Sequence, residues 1–192
     1  MNNPLIQSAL FVRLLATSKF ALVTSTVIAT LFAYAQREVI ALPFVLTWLS
    51  LIMLIAIIRA IHVHSCLRTP LDEHSTLQAQ LVKFRYLTII AGLTWGSAGF
   101  LMFPPNSPEH QMFLVFMLAG VSAGVVTSYS ADTTSAITFV FALLIPLIIR
   151  LFMHNSAMSH AMGLAGITYL IFIVVHIRRA NQNLLENIVL RL

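Results

Sequence analysis

Apolar residues fall along the chain in six long blocks, at about 17–35, 40–61, 86–103, 111–129, 135–153 and 157–177, parted by polar breaks. Each block approaches the roughly 20 residues that about 30 Å of hydrocarbon requires at about 1.5 Å per residue. The pattern predicts an all-α fold, a polytopic bundle of about six transmembrane helices. Two breaks, Gln36-Arg37-Glu38 and Pro104-Pro105-Asn106-Ser107-Pro108-Glu109-His110, are too short to hold a domain. Residues 62–85 form the longest break, in which Thr69-Pro70-Leu71-Asp72-Glu73 predicts a turn. A short helix with Leu77, Leu81 and Phe84 on one side should follow, lying at the membrane surface. The sixth block differs from the others: past His176-Ile177-Arg178-Arg179 no Gly or Pro stops the helix before Leu192. The chain is therefore expected to divide into a six-helix transmembrane domain, 1–177, and the start of a connector helix, 178–192, that leads toward a domain outside this chain.

Composition removes the soluble alternative, since 59% of the residues are hydrophobic, 9% are charged and the mean hydropathy is +0.91. A pI near 10.0 raises the question of nucleic acid. The eleven Lys and Arg form no patch, however; most sit at the ends of apolar blocks. With the N-terminus inside, Arg13, Lys19, Arg59, Arg68, Lys83, Arg85, Arg178, Arg179 and Arg191 face the cytoplasm and only Arg37 and Arg150 face outward. That asymmetry predicts both ends in the cytoplasm. The apolar stretch from Phe20 to Tyr34 lacks a small-residue cleavage site and reads as a retained helix rather than a signal peptide. Cys66 has no second cysteine to pair with.

Small residues suggest where helices meet. Gly92 and Gly96 in the third block and Gly120 and Gly124 in the fourth lie at comparable depth, and the spacing predicts close backbone packing between those two helices. Pro146, inside the fifth block, removes a backbone donor and should kink its helix.

Chemistry-bearing patterns are sparse. Gly120-Val121-Ser122-Ala123-Gly124 matches a nucleophile elbow, but in an apolar helix it reads as small-residue packing. A rhomboid-like protease would need a histidine at the serine's depth, and His176 lies at the inner edge. The seven histidines cluster near the two membrane boundaries, His62 and His64 point to different faces, and interfacial histidine is ordinary, so neither haem nor metal is expected. Asp132 should cap the fifth helix. No acidic residue is centred in a span, which counts against proton-coupled transport, and there is no Walker loop, dinucleotide fingerprint or zinc signature. No catalytic residue, no metal ligand and no cofactor is expected of this chain, which is read as a non-enzyme.

The order Phe84-Arg85-Tyr86, Ala91-Gly92-Leu93-Thr94-Trp95-Gly96-Ser97-Ala98-Gly99, Phe103-Pro104-Pro105, His110-Gln111, Leu118 to Gly124, Asp132, Pro146 and Arg150 carries a resemblance. Over about residues 80–192 the chain resembles the six-helix N-terminal membrane sensor modules of bacterial GGDEF diguanylate cyclases and hybrid histidine kinases. The resemblance implies a receptor in the bacterial inner membrane whose last helix transmits a packing change to an output domain, with Asn183 to Leu192 as the connector. The main alternative is a small multi-pass transporter or an oligomeric scaffold.

With so little mass outside, a small or lipophilic ligand fits better than a large polar one. Its expected site lies in the outer half between the third, fourth and fifth helices, lined by Trp95, Phe100, Phe116 and Arg150. Leu184, Leu185 and Ile188 recur at helical spacing on the connector and predict pairing in a homodimer, with Asn181 and Asn187 setting register. The partners expected are therefore the lipid bilayer, a second copy and a small ligand, and no nucleic acid.

Overall fold

The computed structural model describes residues 4–68 and 74–190. These form six helices: α1 (Pro4–Gln36), α2 (Leu42–Arg68), α3 (His74–Leu101), α4 (Pro108–Tyr129), α5 (Thr133–Met153) and α6 (Ala157–Val189). No strand occurs among the described residues. The turn predicted at Thr69 to Glu73, and the terminal Arg191 and Leu192, lie outside them.

Five helices, α1, α2, α4, α5 and α6, are long and apolar enough to cross a membrane. Their surfaces match, with Phe20, Val23, Ile61, Phe116, Leu164 and Ile171 all strongly exposed. In α3, Gly92, Thr94, Gly96, Ser97 and Gly99 take positions turned into the bundle that larger apolar side chains could otherwise fill, and this lowers its hydropathy. The reason is packing: α3 makes the most extensive interface in the bundle, with α5.

Three α3 glycines make that interface possible. A Cβ on Gly92 would lie 2.9 Å from the Phe139 carbonyl oxygen, one on Gly99 2.8 Å from the Leu147 Cα, and one on Gly96 would overlap the Ala142 carbonyl oxygen. From the opposite side Gly163 and Gly166 of α6 receive Phe152 and Ile148. α5 is thus the axle, with one face buried from Ser135 to Leu151, Phe141, Ile145 and Ile149 exposed on the other, and the helix continuous through Pro146.

Close packing of Gly92 and Gly96 on Gly120 and Gly124, expected from their depth, is not what the fold makes. A Cβ on Gly120 or Gly124 would meet nothing within 4 Å. Depth along a helix can be counted from the loops, but azimuth cannot. The α3 glycines turn toward α5, whereas those of α4 are exposed. Ala142, whose Cβ is 3.0 Å from the position a Gly92 Cβ would take, lies beneath this contact.

The helices also differ in length. α4 and α5, with 22 and 21 residues, span about 30–33 Å and so match a hydrocarbon core. α1 and α6 have 33 residues each, or about 50 Å. Beyond the α4–α5 turn the ends of α1, α2, α3 and α6 continue as a stalk. The core of the bundle extends into the stalk, where Phe11, Leu14, Val63, Cys66, Leu77 and Phe84 are all buried. The surface helix expected at Leu77, Leu81 and Phe84 is therefore the first three turns of α3, and its apolar side faces α1 and α2 rather than lipid.

Substitution of Gly96 or Gly99 by leucine should cost about 1–3 kcal/mol or more, because backbone atoms cannot yield as a side chain can. Leucine at Gly120 or Gly124 should leave the yield of monodisperse protein unchanged. Size-exclusion profiles of the four variants in detergent test the assignment.

Candidate functional site

Polar groups from four helices converge on residues 128–132, the end of α4 and the turn that joins it to α5. A turn at the end of a helix leaves carbonyl oxygens without intrahelical partners, and each must find a donor. Here the donors come from the rest of the fold. Thr17 Oγ1 of α1 donates to the Ser128 carbonyl at 2.6 Å. Asn181 Nδ2 of α6 donates to the Ser130 carbonyl at 2.6 Å. The Arg85 guanidinium of α3 grips the Asp132 carboxylate with two bonds, Nε to Oδ2 at 2.9 Å and Nη2 to Oδ1 at 2.7 Å. Arg59 Nη2 of α2 donates to the Tyr129 hydroxyl at 2.6 Å. Every helix other than the two that the turn joins is thereby bonded to it.

Asp132 carries two roles. It caps α5, accepting from the Ser135 backbone N–H at 3.2 Å and from the Ser135 hydroxyl at 2.6 Å, as its place in the sequence predicts. It also forms the ion pair with Arg85, which the sequence does not reveal because the partners are 47 residues apart. Burial pushes the carboxyl upward, but the bonds from Arg85 and Ser135 outweigh it and hold the group below its ordinary value.

Arg59 departs from the position its sequence predicts. Expected at the cytoplasmic boundary, it is 6% exposed and lies nine residues before the end of α2. Nη2 also approaches Thr88 Oγ1 at 3.4 Å, and the guanidinium stands over the rings of Tyr129 and Phe84, 5.4 and 5.9 Å from their centroids. Among the described residues no carboxylate pairs with it. The run Ile57-Ile58-Arg59-Ala60-Ile61 held the signal: a lone cation with apolar neighbours on both sides is inside a helix, not at its edge.

A cleft of about 170 Å³ opens between α1 and α4 beside this arginine. Gly120 and Gly124 form part of its α4 wall, Phe20, Thr24 and Ile28 part of its α1 wall, and Arg59 and Tyr129 lie at one end. The open space over the α4 glycines is this cleft.

The expected outer ligand site does not assemble. Trp95 is 2% exposed and turned toward α1 and α2, donating to Ser25 Oγ at 3.2 Å and meeting Trp48 edge-on at 5.3 Å. Phe100 and Phe116 are 45% and 72% exposed on the surface of the bundle. Arg150 stands over the Phe103 ring, 4.7 Å from its centroid. The four residues have separate surroundings because α3 presents Trp95 to one side and its glycines to the other.

The remaining candidates are locally engaged. Ser122 donates to the Ala119 carbonyl at 2.7 Å and meets the Tyr169 hydroxyl at 3.0 Å, so its partner is a tyrosine and not a histidine. His110 contacts Ser107, His154 and His160 lie against Phe103 and Phe152, and His62 is beside Cys66. Among the described residues no three metal-ligating side chains come together. On α6, Leu184, Leu185 and Ile188 share a half-buried face with Asn181, and α6 touches α1. The seam expected to pair two copies is thus partly covered by its own chain, whereas Leu190 is 83% exposed.

Asp132→Asn keeps a capping acceptor and removes the charge. With one-third of Arg85 in solvent, the loss should be about 1–2 kcal/mol. The sign of the pH effect follows from the depressed carboxyl: the pair's contribution is complete above about pH 4 and is lost as pH falls below it. Thermal unfolding in detergent should show that acid-side loss in the native chain and a smaller one in the variant. Equal acid sensitivity of the two would remove the ion pair from the account.

No protein-family model, no curated protein and no solved structure matches this chain.

Proposed function

We propose that this chain is a membrane-embedded signal-transduction module of the bacterial inner membrane, which regulates a cytoplasmic output domain of the diguanylate cyclase or histidine kinase class. The observation that carries the reading is the attachment of α6. This helix runs unbroken from Ala157 to Val189, and at Asn181 it is bonded to the turn that α1, α2 and α3 also hold. A shift of any helix against that turn changes the position or rotation of the α6 end that continues past it. Two packings of such an interface, rather than a continuous deformation, give a switch.

In this reading all six helices cross the membrane, α3 included, since it is flanked by α2 and α4 and shielded by α5. Both termini lie in the cytoplasm, as the charge asymmetry favours. The module works as a homodimer, with the stalk ends of α6 side by side and the part of the Leu184, Leu185 and Ile188 face left open by α1 available for pairing.

Reporter fusions at residues 70, 132 and 192 should then report cytoplasm, and fusions at 37, 107 and 155 the outside. With the whole chain joined to a diguanylate cyclase reporter, insertion of one to four alanines after Leu190 should make output rise and fall with the helical period of about 3.6 residues. Asn181→Leu should flatten that response at unchanged membrane level. A stop codon directly after Leu192 in the gene, or output indifferent to helical phase, overturns the reading in favour of a transporter or scaffold.

A further inference from the structure

We infer that the α1–α4 cleft is a binding site for a single-chain amphiphile with a carboxylate head, held by Arg59. Arg59 is a buried guanidinium in an apolar helix, a costly placement that in a membrane bundle marks a functional position. Its hydrogen bonds to the described residues come from Nη2 alone, to Tyr129 and Thr88. A guanidinium has five N–H donors, suited to a planar two-oxygen acceptor. Among the described residues no carboxylate supplies that acceptor, and Arg59 is part of the cleft wall.

The rest of the cleft specifies what carries the carboxylate. Arg59, the one charged residue of its lining, lies with Ser128 and Tyr129 at the end nearest the α4–α5 turn; Thr24, Ser25 and Thr127 add only hydroxyls along the walls, and Ile28 and Gly120 lie at the other end. From Ser128 to Gly120 along α4 is about 12 Å at roughly 1.5 Å per residue. The cleft therefore runs along the helix axes, as an acyl chain does in a bilayer, with the polar end toward the membrane edge. Gly120 and Gly124 leave its side open to the apolar exterior, beside exposed Phe20 and Phe116. A ligand enters sideways from lipid. The volume of about 170 Å³ is below the roughly 300 Å³ at which drug-sized pockets begin, so the cleft takes the head and the near part of one chain, the rest lying in lipid through the open side, and has no room for the paired chains of a phospholipid.

The same wall holds a reporter. Ser25 lines the cleft and accepts the indole N–H of Trp95, one of only two tryptophans in the chain. The full chain in nanodiscs of zwitterionic lipid, titrated with a bromine-labelled dodecanoate, should show saturable quenching of tryptophan emission. Arg59→Gln should weaken the apparent affinity about ten- to hundredfold, the loss expected for a charge-assisted hydrogen bond. Gly124→Phe, at a position where an added Cβ meets nothing, should abolish saturable quenching while the protein stays folded, so the site remains testable if the arginine variant does not fold. Quenching that never saturates, that is unchanged in Gly124→Phe, or that brominated phosphatidylglycerol reproduces with the same saturation overturns the proposal. The readout is binding alone, so the site stands or falls apart from the signalling reading. Only its role as the stimulus site rests on that reading, and binding without output would separate the two.

Discussion

The carbonyl oxygens and the carboxylate of the α4–α5 turn are the groups on which the rest of this bundle depends. A helix end leaves acceptors without intrahelical partners, and in a tightly packed bundle side chains of neighbouring helices can meet them. Here four donors, one from each of the helices outside the hairpin, meet residues 128 to 132. The result fixes relative depth. α1 is pinned at Thr17, α2 at Arg59, α3 at Arg85 and α6 at Asn181. The ends of these four helices continue past the turn as the stalk.

Lateral order comes from a different source. Glycines on α3 and α6 let two helices close on α5 from opposite sides, where packing and not the hydrophobic effect must supply the attraction between helices in lipid. Gln111 adds a local clamp at the other end, donating to the Pro104 and Pro105 carbonyls of the α3–α4 connection at 2.8 and 3.2 Å. The aromatic chain Phe113, Phe32, Trp48 and Trp95 fills the space among α1, α2, α3 and α4. Depth is thus set by hydrogen bonds and azimuth by small residues and rings.

That division explains what the sequence disclosed. Apolar blocks and their breaks located all six helices, because block length is a property of the chain alone. They did not mark where α1 begins, since Pro4 to Ala16 form stalk helix whose apolar face is satisfied by α2 and α3 rather than by lipid. The Asp132 cap was legible because its partner is three residues away; the Arg85 pair was not, because its partner is on another helix. Of the glycines expected to pack, Gly92 and Gly96 do so, on α5, while Gly120 and Gly124 pack on nothing, and Trp95, Phe100, Phe116 and Arg150 fail to meet for the same reason: facing direction is decided by neighbours. Arg59 is buried although a charge near the end of an apolar block ordinarily marks its edge.

The stalk core contains the single cysteine of the chain. Cys66 is buried there, with its Sγ 3.4 Å from the Gln80 side-chain oxygen across the α2–α3 interface. A thiol in that position is closed to an alkylating reagent while the four helix ends are packed, and becomes reactive when α2 and α3 part. The protein therefore carries its own chemical clock, in which the rate of maleimide uptake by native membranes measures how often the stalk breathes.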